Sequence, residues 1–324
     1  MAHSGPLRLP GNPTPDGPRC GIQASLSRPL ALAQAGRRHY NPCMDMISPE
    51  TAGADVASEA YPAFSTIEGD PAQGLILLCD HAENRLPAEY GTLGLPPEAF
   101  ARHIAYDPGA RAVTAGLARR LGAPAVFTTF SRLLIDPNRG EDDPTLIMRL
   151  SDGDIVPGNH HVDETERARR LALYHAPYHA EVERTIERSL AAGTVPALVS
   201  IHSFTPVWRG RGRPWQIGIL WDADPRLARP LVEALAADPD LVVGDNEPYS
   251  GALMRDTMYR HGTRRGLAHG LVELRQDLIS DDAGADHWAE RLAPILADIN
   301  TMPDLHEIRH HGSRAGPVEA IEAT

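Results

Sequence analysis

Leu75-Ile76-Leu77-Leu78-Cys79-Asp80-His81-Ala82-Glu83-Asn84 is a short apolar run that stops abruptly at an acid and a histidine. Such a run is too short for a core helix and suits a strand buried on both faces. Two later segments have the same form. Ala197 to Ile201 leads into His202-Ser203-Phe204, and Leu271 to Leu274 carries Glu273 before Arg275-Gln276-Asp277. Helical patterns separate these strands. Asp107 to Leu121 spaces Val113, Leu117 and Leu121 on one face, with Gly122 as its stop. Glu164 to Leu190 is a long amphipathic stretch that Pro177 should break or kink. Arg226 to Ala236 and Ala285 to Ile299 are helical, the latter with a kink expected at Pro294. Further strands are expected over Ala125 to Phe130, Gln216 to Trp221 and Leu241 to Val243. Alternating strands and helices predict one α/β domain over residues 71–302, a mixed, largely parallel sheet flanked by helices.

Outside that span the chain is of another kind. Residues 1–70 are rich in Pro, Gly, Ser and Ala and read as a disordered leader, with Met44 or Met46 as alternative starts. Residues 303–324 read as a polar, frayed tail. It holds His306 and His310 at helical spacing, but fraying outweighs a metal pair there. The 43 acidic residues exceed the 31 Lys and Arg, for a net charge of -12. That balance argues against nucleic acid or an anionic membrane as partner, and leaves room for a small anion held by local arginines. No apolar run approaches the ~18 residues of a membrane span. Cys20, Cys43 and Cys79 have no CxxC spacing, which points to a reducing, cytoplasmic location.

Sites in α/β proteins lie at the carboxyl ends of strands. His81 and His202 both sit there, so two imidazoles from different strands can converge on one metal ion. A third ligand is open between Glu83, the better donor by charge, and Asn84, three residues past the first histidine. Glu273 lies on an otherwise apolar strand, where an unpaired carboxylate costs several kcal/mol. It either pairs with Arg275 on the same strand face or serves as a general base. Arg132, Asp136, Asn138 and Arg139 form a polar cluster after the Phe130 strand, and an Asn-Arg pair can fork a carboxylate. The long loop from Asn138 to His161 is expected to be functional. Arg209, Arg211 and Arg213 read as a basic loop rather than a pocket lining. Cys79 is expected to be inert packing. Serine-elbow, HExxH, phosphate-loop and dinucleotide motifs do not occur.

Six segments in order resemble the N-formylglutamate amidohydrolases across about residues 72 to 300. They are Asp80-His81-Ala82-Glu83-Asn84-Arg85-Leu86-Pro87, Asp107-Pro108-Gly109-Ala110, Ser131-Arg132-Leu133-Leu134-Ile135-Asp136-Pro137-Asn138-Arg139, Ile201-His202-Ser203-Phe204, Asp245-Asn246-Glu247-Pro248-Tyr249 and Glu273-Leu274-Arg275-Gln276-Asp277-Leu278. The family is similar to the zinc carboxypeptidases, so a phosphorylase/hydrolase-like, zinc-peptidase-like fold is implied. The peptidases have a glutamate three residues after the first histidine; here that position is Asn84.

The resemblance implies one zinc ion per site, held by His81, His202 and Asn84, with Glu83 as the alternative third ligand. It implies Glu273 as general base, Arg132 as oxyanion stabiliser, and Asn138, Arg139, Tyr249 and Arg275 as contacts for an anionic N-acyl amino acid. Asp107 would orient His81 through its other ring nitrogen. The implied reaction is hydrolysis of N-formyl-L-glutamate to formate and L-glutamate, a step of histidine degradation. Removal of a succinyl or acetyl group, or a binding protein without activity, are the competing readings. A formyl group calls for arginine forks and a tight acyl pocket rather than a large apolar cleft.

Overall fold

The computed structural model describes residues 61–321. Most of the expected leader, including Cys20, Cys43, Met44 and Met46, lies outside the described residues. Its last residues do not behave as a leader. Phe64–Ile67 is strand β1, paired antiparallel with residues 125–128 at the sheet edge. A four-residue edge strand is too brief to announce itself by alternation.

The remaining strands of the seven-stranded sheet are β2 (Leu75–Cys79), β3 (Ala125–Thr128), β4 (Ala197–Phe204), β5 (Ile217–Leu220), β6 (Val243–Asp245) and β7 (His269–Arg275). Their order is β1-β3-β2-β4-β7-β5-β6. Four of the neighbouring pairs are parallel, and β1–β3 and β7–β5 are antiparallel. The mixed, largely parallel α/β architecture is the one expected. Every residue of β2 and β4 is buried, as continuous apolar runs in central strands require.

Among the described residues the α-helices are α1 (Ala110–Leu121), α2 (Glu164–Arg170), α3 (Ala176–Ala191), α4 (Ala228–Ala236), α5 (Thr257–His261) and α6 (Asp282–Ile299). Strand alternation sorts the core into two layers. Leu75, Leu77, Val199, Ile201, Val272 and Leu274 pack with Leu117 of α1, Leu231 of α4 and Leu292 of α6. Ile76, Leu78, Leu198, Leu220 and Leu271 pack with Tyr178, Val182 and Ile186 of α3. Among the described residues no helix is long and apolar enough to cross a membrane.

Several expected boundaries move for local reasons. His202 and Ser203 lie inside β4, which runs on to Phe204. Pro177 does not break the long helical stretch. A π turn over Leu171–His175, in which Ala176 donates to the Leu171 carbonyl, joins α2 to α3. The wider turn accommodates a ring that would clash with a carbonyl four residues back and a nitrogen that cannot donate. α6 likewise continues through Pro294. Instead of fraying, residues 303–321 dock on the domain: Leu305 is buried, Arg309 N donates to Gly266 O, and Ile321 N to Arg264 O. His306 bonds the Val195 and Asn300 carbonyls, so it forms no metal pair with His310.

The link between β2 and α1 positions the site. Asp107 N donates to His81 O at 3.0 Å, and Gly109 then enters α1 with φ of +82°. A Cβ there would sit 2.1 Å from Ile279 O. Both the left-handed φ and the close approach demand glycine. Gly109→Ala should therefore cost about 2–3 kcal/mol, read from chemical denaturation. A variant as stable as the parent would show that this turn does not constrain the fold.

Candidate metal centre and active site

Adjacent parallel strands bring the central residues together. Glu273 of β7 is directly opposite His202 of β4, and His81 follows the end of β2, the other neighbour of β4. The two imidazoles meet edge to face with centroids 4.9 Å apart. Both turn Nδ1 toward Asp107: His202 Nδ1 is 2.8 Å and His81 Nδ1 3.3 Å from Asp107 Oδ2. The outer ring nitrogens face other carboxylates, His81 Nε2 at 2.7 Å from Asp136 Oδ1 and His202 Nε2 at 2.9 Å from Asp80 Oδ2. An ionised carboxylate only accepts, so both Nε2 atoms donate to the carboxylates behind them, and the inward Nδ1 atoms are the positions a metal would take in place of a proton.

This set fits a divalent metal. One ligand atom from each of His81, Asp107 and His202 lies within 4.8 Å of the other two. Two imidazoles and a carboxylate are a zinc donor set with room for water, and carboxylates behind the histidines complete it. Arg132 Nη1 lies 3.2 Å from His81 Nδ1 and, as a guanidinium, can only donate to it.

The candidate third donor in this arrangement is Asp107, where Asn84 or Glu83 is expected. Asn84 donates its amide to Phe100 O at 2.7 Å. Glu83 faces Arg111 and Arg85, at 3.3 and 3.4 Å, and lines a separate surface hollow. The turn after His81 carries both side chains away from the histidines. Asp107, expected behind His81, instead bridges the inward nitrogens of both rings, and the orienting role falls to Asp136 and Asp80. Asp136 belongs to the polar cluster that the sequence shows after the Phe130 strand. Asp80 gave one signal: an acid placed directly between an apolar strand and a histidine.

The electrostatics follow from this packing. Burial alone would lower the basicity of His202, but the hydrogen bonds to Asp107 and Asp80 outweigh it and raise the pKa to about 10 in the metal-free protein. Burial opposes ionisation of Asp80, and the bond to His202 more than offsets this, holding its pKa at about 2. Asp136 stays far below the usual carboxylate range because Arg132 and His81 outweigh its desolvation. Glu273 goes the other way. Burial pushes it up to about 8, with Asp107 adding to the shift against His202 and Arg132. Its Oε2 is buried and has no hydrogen-bond partner. Arg275 does not supply one. It pairs with Asp277 at 2.8 Å and does not line the cavity where its substrate contact is expected.

A cavity of about 310 Å³ opens over these groups. His81, Asp107, Arg132, Asn138, Arg139, His202, Tyr249 and Glu273 all line it. Arg132 Nη2 is 2.7 Å from Asp136 Oδ2, which fixes the guanidinium beside the histidines. Asn138 Oδ1 accepts from Thr257 N at 3.1 Å. The loop carrying Asn138 and Arg139 is braced from below by α3 and the π turn, with His179 Nε2 at 3.0 Å from Pro137 O and His175 Nε2 at 3.2 Å from Arg139 O. The loop carrying Tyr249 is fixed by Asn246, whose Oδ1 accepts from Trp221 N and Gly251 N at 3.0 and 2.9 Å. Arg213, read as a loop residue, stacks 5.1 Å from the Tyr249 ring. Cys79 is buried in the core, and burial raises its thiol pKa, so it is no nucleophile. The cavity is larger than a formyl group needs and has an apolar side formed by Leu220, Met258 and Leu271.

A family model described as N-formylglutamate amidohydrolase matches residues 73–280. A crystal structure of a gene product from Agrobacterium tumefaciens is 35% identical, covers 73% of this chain and 94% of its own, and superposes with a TM-score of 0.68. A crystal structure described as N-formylglutamate amidohydrolase from Ralstonia eutropha is 20% identical, with coverages of 73% and 95% and a TM-score of 0.54, a likeness of fold. The comparison with curated proteins gives no match.

Two predictions follow from the geometry. Zinc affinity, read by competition with a chromophoric chelator, should fall at least about 100-fold in Asp107→Asn and about 10–100-fold in Asp136→Asn, while Asn84→Ala binds as the parent does. Loss in Asn84→Ala with retention in Asp107→Asn would reverse the ligand assignment. For the metal-free protein, Glu273 ionises near 4.5 when unfolded and about 8 when folded. Its contribution is therefore neutral at low pH and increasingly destabilising as pH rises toward 8. Glu273→Gln should melt higher than the parent at pH 9, by about 2–4 °C for each kcal/mol relieved, and converge with it near pH 5. The same gap at both pH values would contradict the buried-carboxylate account.

Proposed function

Given that the chain belongs to the N-formylglutamate amidohydrolase family, we propose that it is a metal-dependent amidohydrolase acting on an N-acyl amino acid, with N-formyl-L-glutamate the substrate to test first. The observation that carries this reading is the convergence of His81, His202 and Asp107 beside the unpartnered Glu273 carboxylate. A hydrolase acting on amides is what the family supports; the zinc ion and the formyl substrate are the proposed refinements.

Bound zinc would supply Lewis acidity, lowering the pKa of water toward ~7 and polarising the amide carbonyl. Glu273 takes a proton from the attacking water and delivers it to the departing amine. Its burial and lack of a partner keep the carboxylate basic enough for both transfers. Arg132, fixed by Asp136, presents a guanidinium where negative charge develops on the carbonyl oxygen. Asn138 and Arg139, on the loop braced by α3, hold the carboxylate of the amino-acid part. Tyr249 closes the cavity from the opposite loop. With N-formyl-L-glutamate the products are formate and L-glutamate, the step in histidine degradation that the family resemblance implies.

The test is turnover by the zinc-loaded protein. Glu273→Gln should keep its metal and lose about 10²–10⁴-fold in kcat, and Arg139→Ala should act mainly through KM. Full activity in Glu273→Gln would remove the carboxylate from the mechanism. Metal retention without turnover of N-formyl, N-acetyl or N-succinyl glutamate would favour a binding protein.

A further inference from the structure

Three buried histidines take no part in the reaction just described. His175 ends the π turn, His179 follows on α3 and His261 ends α5. Their rings pack in a row. The centroids are 4.4 Å apart from His175 to His179 and 5.2 Å from His179 to His261. The row lies against the loop that carries Asn138 and Arg139.

The hydrogen bonds in this row have one direction. Burial holds His179 well below the usual imidazole range and His261 at about 3, so both rings are neutral and each has one proton. A carbonyl only accepts. The proton of His179 is therefore on Nε2, where it donates to Pro137 O at 3.0 Å. Its Nδ1 is then an acceptor, and His261 Nε2 donates to it at 3.0 Å. His175, one turn earlier and also kept neutral by burial, donates from Nε2 to Arg139 O at 3.2 Å. Its Nδ1 is buried without a partner, so the Arg139 carbonyl is what holds that ring.

The carbonyls so held belong to the groups that would meet the substrate anion. Arg139 Nη1 donates to Asn138 O at 2.8 Å, which ties the guanidinium to the same backbone. Asn138 Oδ1 accepts from Thr257 N at the start of α5, and His261 reaches His179 from its end. The loop is thus gripped between α3 and α5. Ion pairs of Arg255 with Asp142 and Arg260 with Glu141 add to the grip, but they are largely exposed and weak. The imidazole bonds are buried, and a lost donor leaves a buried carbonyl to find another partner. A group that binds by orientation is sensitive to the resulting shift, even one of ~1 Å.

We infer that His179, with His261 as its donor, and His175 are positioning residues for the substrate carboxylate: they fix the Pro137 and Arg139 carbonyls and through them the Arg139 guanidinium. This rests on the amidohydrolase reading of the site and adds the residues that set its anion-binding geometry. The experiment measures kcat and KM of the zinc-loaded full chain for N-formyl-L-glutamate, and the affinity of the metal-free protein for the same compound by calorimetry. His179→Leu removes the donor to Pro137 O. It should raise KM about 10-fold, change kcat less than about twofold, and leave zinc affinity at the parent's value. His179→Gln, whose amide can donate from the same place, should recover most of the loss. In the Arg139→Ala background His179→Leu should raise KM no further, because the group it positions is gone. Histidine ¹⁵N spectra of the unmodified chain at pH 7 need no variant to fold, and should show His179 with its single proton on Nε2. An unchanged KM in His179→Leu, an equal loss with and without Arg139, or a doubly protonated His179 would overturn the inference. Affinity that falls in His179→Leu and returns in His179→Gln while nothing is hydrolysed supports the positioning role and defeats the amidohydrolase reading. Turnover that is indifferent to both variants does the reverse.

Discussion

The buried carboxylate of Asp80 ties the site to the scaffold. It accepts hydrogen bonds from Tyr178 Oη on α3, Thr257 Oγ1 on α5, and Ser200 Oγ and His202 Nε2 on β4, at 2.7 to 2.9 Å. One ion thereby joins the end of β2 to two helices and the neighbouring strand. With four donors the charge is well compensated, which is why burial does not neutralise it. Loss of that charge would leave several donors unsatisfied inside the core and free the ring of His202, so stability and site geometry are one property here.

Around this anchor the site repeats a single arrangement. Each imidazole is held from behind by a carboxylate and turned inward toward Asp107. Asp80 serves His202, and Asp136, itself paired with Arg132, serves His81. Charges so concentrated are tolerable in a buried place because each faces an opposite charge or a donor. Glu273 is the exception. It is the one acid of the centre with a buried oxygen left unpartnered, and its elevated basicity is the result. Perturbation of that kind at the floor of a cavity marks chemistry more than architecture.

Much of this was legible in the chain. The apolar runs ending in His81 and His202, and the acid inside the strand at Glu273, identified three central groups because such residues at such places have few structural uses. The cluster after β3 was legible for the same reason, and Arg132, Asn138 and Arg139 all reach the cavity. Asn84 and Glu83 misled because spacing along a chain does not say which way a turn sends its side chains. Asp107 was visible as a functional residue but not as a bridge between the two histidines, since its approach depends on the Asp107 N to His81 O bond and the tight turn at Gly109. Arg275 is taken by Asp277, and Arg213 is folded back on the Tyr249 ring.

The amino-acid sequence alone determined the α/β layering, the strands that end in chemistry, and the residue types able to carry it. These follow from hydrophobic periodicity and the high cost of burying charge without purpose. Tertiary structure decided which carboxylate turns toward both histidines, which carboxylates stand behind them, and which loops close over the cavity. Each of those depends on distances between segments remote in the chain, set by strand register and sheet order, which no local pattern encodes.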